Sequence, residues 1–144
     1  MTVTAILFCV VLTLCACGKK DKKISVKEKT VYYSDSDFEQ AKAVINAEME
    51  LDFSDCVLDE LEYMGDNYSV AFQNIADDMG CDEVMVIRST FHSKNVDYSL
   101  PEKGDESTVS GNESTPDGVW DNWRWIMVRK LGGEWMIGQC GPIE

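Results

Sequence analysis

Residues 5–16 (AILFCVVLTLCA) form an apolar run broken only by Thr13, and Cys17 and a charged stretch, Gly18-Lys19-Lys20-Asp21-Lys22-Lys23, follow at once. At about 12 residues the run is too short to span a bilayer, which takes about 20, but it has the length of a signal-peptide core. The opening Met1-Thr2-Val3-Thr4 departs from the usual pattern in carrying no Lys or Arg. Setting aside an N-terminal segment leaves roughly 110 to 125 of the 144 residues to fold, enough for one domain and too few for two.

The residues that close the run, Leu14-Cys15-Ala16-Cys17, resemble the bacterial lipobox: an aliphatic residue three before a cysteine, and a small one just before it. The resemblance implies recognition of Leu14 and Ala16 by a signal peptidase, cleavage after Ala16, and a diacylglycerol thioether on Cys17. A further acyl chain such as palmitate on the new amino terminus would complete a stable anchor, since two chains suffice where one is marginal. The expected location is the extracytoplasmic face of a cell membrane.

Charge is unevenly placed. Between residues 18 and 29, Lys19, Lys20, Lys22, Lys23, Lys27 and Lys29 face only Asp21 and Glu28, a net of +4. The rest of the chain holds 7 of the 13 basic and 24 of the 26 acidic residues, a net of −17. A basic collar beside a lipid anchor is drawn to anionic headgroups at about 1 kcal/mol per lysine, while the acidic domain beyond is repelled. Nucleic acid is excluded as a partner, because neutralising phosphates needs clustered Lys and Arg. Residues 17–33 therefore read as a lipid-anchored basic tether, and 34–144 as a single α+β domain.

Within that domain, Ser36-Asp37-Phe38-Glu39 has the form of a capping box, and Phe38, Ala41, Ile45, Met49 and Phe53 recur at three- and four-residue steps. This predicts a helix from Ser36 that ends over Asp52–Asp55. Val57–Tyr63 predicts a strand with Val57, Leu61 and Tyr63 on one face. Tyr68–Met79 predicts a second helix stopped by Gly80, and Asp82–Ser93 a β-branched strand centred on Val84-Met85-Val86-Ile87. Residues 94–118 predict a flexible loop, with Gly104-Asp105-Glu106-Ser107-Thr108 nearly repeated as Gly111-Asn112-Glu113-Ser114-Thr115. Val119–Lys130 and Glu134–Cys140 predict a hairpin turned by Gly132-Gly133. The expected architecture is a curved antiparallel sheet of about four strands, with two helices on its concave side.

Two pieces carry a family resemblance. Tyr33-Ser34-Asp35-Ser36-Asp37-Phe38 leads through the first helix to Cys56-Val57-Leu58-Asp59-Glu60-Leu61-Glu62-Tyr63. Asp121-Asn122-Trp123-Arg124-Trp125-Ile126-Met127-Val128-Arg129 closes with Glu134-Trp135 and Gly141. Together with the strand start Asp82-Glu83-Val84 they resemble small Gram-positive bacterial lipoproteins, of no assigned function, with a nuclear-transport-factor-like (cystatin-like) domain. That resemblance implies a cone-shaped α+β fold able to enclose a pocket, and it implies no activity.

The residues themselves supply few candidates for chemistry. His92 is the only histidine, with no carboxylate partner identifiable by spacing, and no stretch has the ligand spacing of a calcium loop. No catalytic residue, metal or cofactor is assigned. Trp123, Trp125 and Met127 share a strand face; they fill the core or line a pocket for a small apolar or aromatic ligand. Cys56 and Cys81 each precede a strand, and a disulfide would join them if those strands ran parallel. These features point to a non-enzymatic binding or interaction domain. The alternatives are a small cone-fold enzyme using a pocket carboxylate or Tyr, and a structural envelope protein acting on an envelope partner.

Overall fold

The computed structural model describes residues 23–27, 30–97 and 118–143. Leu14, Ala16 and Cys17 lie outside them, as does most of the expected loop. The elements are β1 (Ser25–Val26), α1 (Asp35–Asp52), β2 (Cys56–Tyr63), α2 (Asp66–Val70), α3 (Gln73–Asp78), β3 (Glu83–Ser93), β4 (Val119–Arg129) and β5 (Met136–Pro142). The five strands lie in sequence order in one mixed sheet, β1 parallel to β2 and the others antiparallel. The fold is α+β as expected, with one strand and one helix more.

The extra strand comes from the span read as tether. Ile24 is buried in the main core, Ser25 and Val26 pair with Glu62 and Tyr63, and Lys27 forms an ion pair with Glu62. Beyond β1, the Asp66 carboxylate accepts from the Thr30 hydroxyl at 2.7 Å, the Val31 N–H at 2.9 Å and the Tyr63 hydroxyl at 2.6 Å. Those bonds hold Asp66 below the usual carboxylate range although burial pushes it up. Residues 24–27 and 30–33 are thus stitched to the domain.

Helix α1 starts two residues earlier than the expected capping box. Ser34 is the N-cap: its Oγ accepts from the Asp37 N–H at 3.3 Å, and the Ser34 N–H donates to the Asp37 carboxylate at 2.7 Å. Phe38, Ala41, Ile45 and Met49 are buried on one stripe as their spacing implies, with Phe53 packed against the same cluster. The second expected helix divides at Ala71-Phe72, where i to i+3 bonds (Ala71 N–H to Tyr68 O, Phe72 N–H to Ser69 O) tighten the chain. Gly80 does end α3: at φ +67° it lets the Cys81 N–H reach Ala76 O and its own N–H reach Asp77 O, the bond pair of a Schellman cap.

The helices occupy both faces of the sheet, not one. Met85 and Ile87 of β3 pack with Leu61, Tyr63, Trp125 and Met127 under α1. Their neighbours Val84 and Val86 pack with Ile126, Val128 and Ala76 under α2 and α3. Successive side chains on a strand alternate sides, so a strand covered twice has to be apolar throughout, and this is why residues 84–87 read Val-Met-Val-Ile.

Each antiparallel pair carries a register shift. In β2 it falls between Leu58 and Glu60, making Asp59 the extra residue. It turns Cys56 and Leu58 toward the α1 core and leaves Val57 exposed, opposite to the face expected from its alternation with Leu61. In β4, Trp123 and Trp120 stand opposite Ser89 and Phe91, so that Asp121 and Asn122 together face Thr90, two residues against one. In β5 the extra residue is Gly138. The final turn closes with the Gly133 N–H on Lys130 O at 2.7 Å, and of its two glycines only Gly132 adopts positive φ, at +70°.

Candidate functional site

The sheet has two ends. One is formed by Cys56, Ser93, Val119 and Pro142, the other by Tyr63, Glu83, Arg129 and Met136. At the Cys56 end, on the α1 side, five rings pack together. Phe53, just past the last turn of α1, meets Phe91, Trp123 and Trp125 edge to face at centroid distances of 5.4, 5.5 and 6.0 Å. Phe91 stacks on Trp120 at 5.1 Å. The β4 bulge puts Trp120 here, reversing the alternation that would send it to the other face.

Trp123, Trp125 and Met127 do share a face, as their spacing implies, but their surroundings differ. Trp125 and Met127 are fully buried under α1, and Trp125 Nε1 donates to Ser89 Oγ at 2.8 Å. Those two are core. Trp123 and Trp120 are only half-buried, so the part of the aromatic group open to a partner is Trp120, Trp123 and Phe53. The Trp123 indole Nε1 is buried beside the Cys140 thiol and has no full-strength acceptor among the described residues. Burial and the Glu48 carboxylate push that thiol up, against the indole's lowering effect. Cys56 is likewise pushed up by burial and by Asp55, so both thiols stay protonated and are weak nucleophiles.

The expected Cys56–Cys81 bridge does not form: Cys56, Cys81 and Cys140 are all free thiols. Cys56 pairs with Ser93 at the finish of β3, whereas Cys81 precedes its start at Glu83, and β2 and β3 run antiparallel. An 11-residue strand at about 3.3 Å per residue separates them, far beyond the reach of a disulfide.

On the reverse face of the Cys56 end, His92 Nδ1 lies 2.5 Å from Asp59 Oδ2, both side chains nearly buried. An ionised carboxylate only accepts, so at that distance Nδ1 carries the hydrogen. The sequence holds no sign of this pair, because no local spacing shows that Val57, two places before Asp59, is set beside His92. Among the described residues no group of three or more His, Cys, Asp and Glu side chains is placed to hold a metal ion.

The opposite end is built as a clamp. Arg129 donates through Nε to Glu83 at 2.6 Å and through an Nη to Asp37 at 2.5 Å, with its guanidinium 4.3 Å from the centre of the Trp135 ring. Tyr33 donates to Val84 O at 2.6 Å and packs edge to face on Tyr63 and Trp135. Two arms of Arg129 and the face of its guanidinium are engaged by the protein's own groups, so this constellation binds the start of α1 to the sheet. No protein-family model, no curated protein and no solved structure matches the chain.

Proposed function

We propose that this chain is an exported lipoprotein, anchored through Cys17 on the extracytoplasmic face of a cell membrane, whose acidic domain is a non-enzymatic binding module. The supporting observation is the ring group at the Cys56 end: two tryptophans and Phe53 stay partly open there, while Phe91 and Trp125 beside them are packed away. The cystatin-like reading fits the α1 side, a long helix laid across a bulged sheet. The α2–α3 pair on the reverse face is an addition to such a cone.

Two measurements test this. Metabolic labelling with a palmitate analogue should mark the wild-type chain and not Cys17→Ala; equal labelling removes the anchor. Tryptophan emission of the full chain should shift on titration with small apolar or aromatic compounds, and the shift should be lost in Trp123→Ala. An emission spectrum indifferent to all of them reduces the ring group to core packing.

The Asp59–His92 pair favours a second reading, a small enzyme in which His92 Nε2 accepts a proton from substrate or water while Asp59 orients the ring. Turnover of ester, glycoside or phosphate substrates that disappears in His92→Gln would establish it.

A further inference from the structure

The pairing of β1 sets the direction from which the chain joins the domain. Ser25 lies beside Glu62 and Val26 beside Tyr63, in parallel, and β2 runs from Cys56 toward Tyr63. Lys23 and Ile24 therefore lead in from the Cys56 end, the end that holds the open rings. The point of arrival is firm: Ile24 is in the core, and Lys27, Thr30 and Val31 are tied to Glu62 and Asp66.

Seven residue steps, from 17 to 24, separate the cysteine of the lipobox from Ile24, a span of roughly 25 Å at full stretch. The stretch of β2 from Leu61 back to Cys56 covers roughly 17 Å. The length of chain between Cys17 and Ile24 is therefore enough to reach the Cys56 end, and little more. Lys19, Lys20, Lys22 and Lys23 all fall within that short span, next to the anchor.

The same end presents Leu51, 76% exposed on the last turn of α1, and the exposed Val57, beside half-buried Phe53, Trp120 and Trp123. Tryptophan, with an apolar body and one N–H, settles at the boundary between headgroups and acyl chains. Asp52 and Asp55 stand at this end too, exposed, and hold the contact at headgroup depth. Val31, Tyr32, Leu131 and Met136 are exposed as well, but at the far end, away from the arriving chain.

We infer that the domain does not hang free on its anchor: it rests its Cys56 end on the bilayer, with Trp120 and Trp123 at the headgroup boundary. This rests on the lipid-anchor reading and names the bilayer surface as the partner of the aromatic end.

The test uses the full lipidated chain reconstituted into phosphatidylcholine–phosphatidylglycerol vesicles whose acyl chains are brominated near the headgroup. Flotation with the vesicles is read first, then quenching of tryptophan emission relative to unbrominated vesicles. Two of the four tryptophans are in reach, so quenching of up to about half the emission is expected. It should vanish in Trp120→Phe/Trp123→Phe and persist in Trp135→Phe. The single variants, each expected to lose part of the quenching, serve if the double variant does not fold. Flotation without quenching overturns the resting geometry and leaves the anchor standing. Quenching that depends on Trp135 overturns it in favour of the far end. A chain that does not float removes the anchor, and this inference with it.

Discussion

Arg129 and Asp37 stand 92 positions apart in the chain and meet at 2.5 Å in the fold. Asp37 also completes the cap on Ser34, so one carboxylate both starts α1 and fastens it to the end of β4. Arg129→Ala would strand Asp37 and Glu83 side by side in a nearly buried place and remove the plane that lies over Trp135. A loss of about 3 kcal/mol follows, since breaking a buried pair leaves uncompensated charge. Arg129→Lys should recover only a small part, because an ammonium cannot fork to two carboxylates. Urea denaturation followed by circular dichroism measures both.

Stability should fall on both sides of neutrality. Burial pushes Asp37, Glu62 and Asp66 up, but hydrogen bonds and cations outweigh it and hold all three below the ordinary carboxylate range. A depressed carboxylate stabilises above its unfolded pKa, and that contribution is lost as pH falls below about 4. Tyr33 is the opposite case: burial, then Glu83, pushes its hydroxyl from 10.0 to about 12, and Tyr63 is raised further still. Their contribution is present below pH 10 and is lost as the pH climbs from there. Denaturation midpoints from pH 2.5 to 11.5 should trace both limbs. Arg129→Met should flatten the acid limb only in part, because the Ser34 hydrogen bonds still favour the charged form of Asp37.

The position of the helix cap separates two serines. Ser34→Ala removes the side-chain acceptor for the Asp37 N–H and should cost about 1 kcal/mol. Ser36→Ala touches only an exposed contact from Gln40 at 3.4 Å and should stay within about 0.5 kcal/mol of wild type. A larger effect at Ser36 would contradict the cap described above.

This pair also shows what can be read from the chain and what cannot. Ser34-Asp35-Ser36-Asp37 and Ser36-Asp37-Phe38-Glu39 both fit a capping pattern; the first is used, and its Asp37 is also held by Arg129, which no local window contains. The stripe from Phe38 to Met49, the Gly80 stop and the hairpin at Gly132 were legible because each is dictated by spacing or by one residue's backbone. The faces of Val57 and Trp120 were not, since a single extra residue in a strand inverts everything before it. The Asp59–His92 pair stayed hidden because only the pairing of two strands brings together residues 33 positions apart. That helices cover both sides of the sheet was written in Val84–Ile87, four apolar residues in succession, but such a run serves a buried helix equally well.

Gly138 is where β5 and α3 come closest. A methyl group there would lie 3.1 Å from Val128 Cγ1 and 3.2 Å from both Ile75 Cγ2 and Met79 Sδ. Gly138→Ala should therefore cost about 1 to 2 kcal/mol through overpacking. Met79 is a flexible, partly exposed side chain, so Met79→Ala in the same molecule should return part of that loss. A double-mutant cycle by thermal denaturation reads the coupling.

Ser89→Ala would leave the Trp125 indole N–H buried without its acceptor, at a cost of about 2 kcal/mol. Ser89→Thr should retain most of the stability if the hydroxyl keeps its place. Comparing the two by chemical denaturation separates the hydrogen bond from the loss of a small group.

A strand roofed on both sides also has an addressing problem. Moving β3 by one place would trade Val84 and Val86 for Met85 and Ile87, oil for oil, so avoidance of water hardly distinguishes the correct alignment from its neighbour. What does distinguish it is particular to this chain: the hydroxyl of Ser89 under Trp125, the ion pair of Arg88 with Glu62, and the side-chain volumes matched to each roof. Substitutions at Ser89 or Arg88 should for that reason do more than weaken the domain: they remove the marks by which its central strand finds its place.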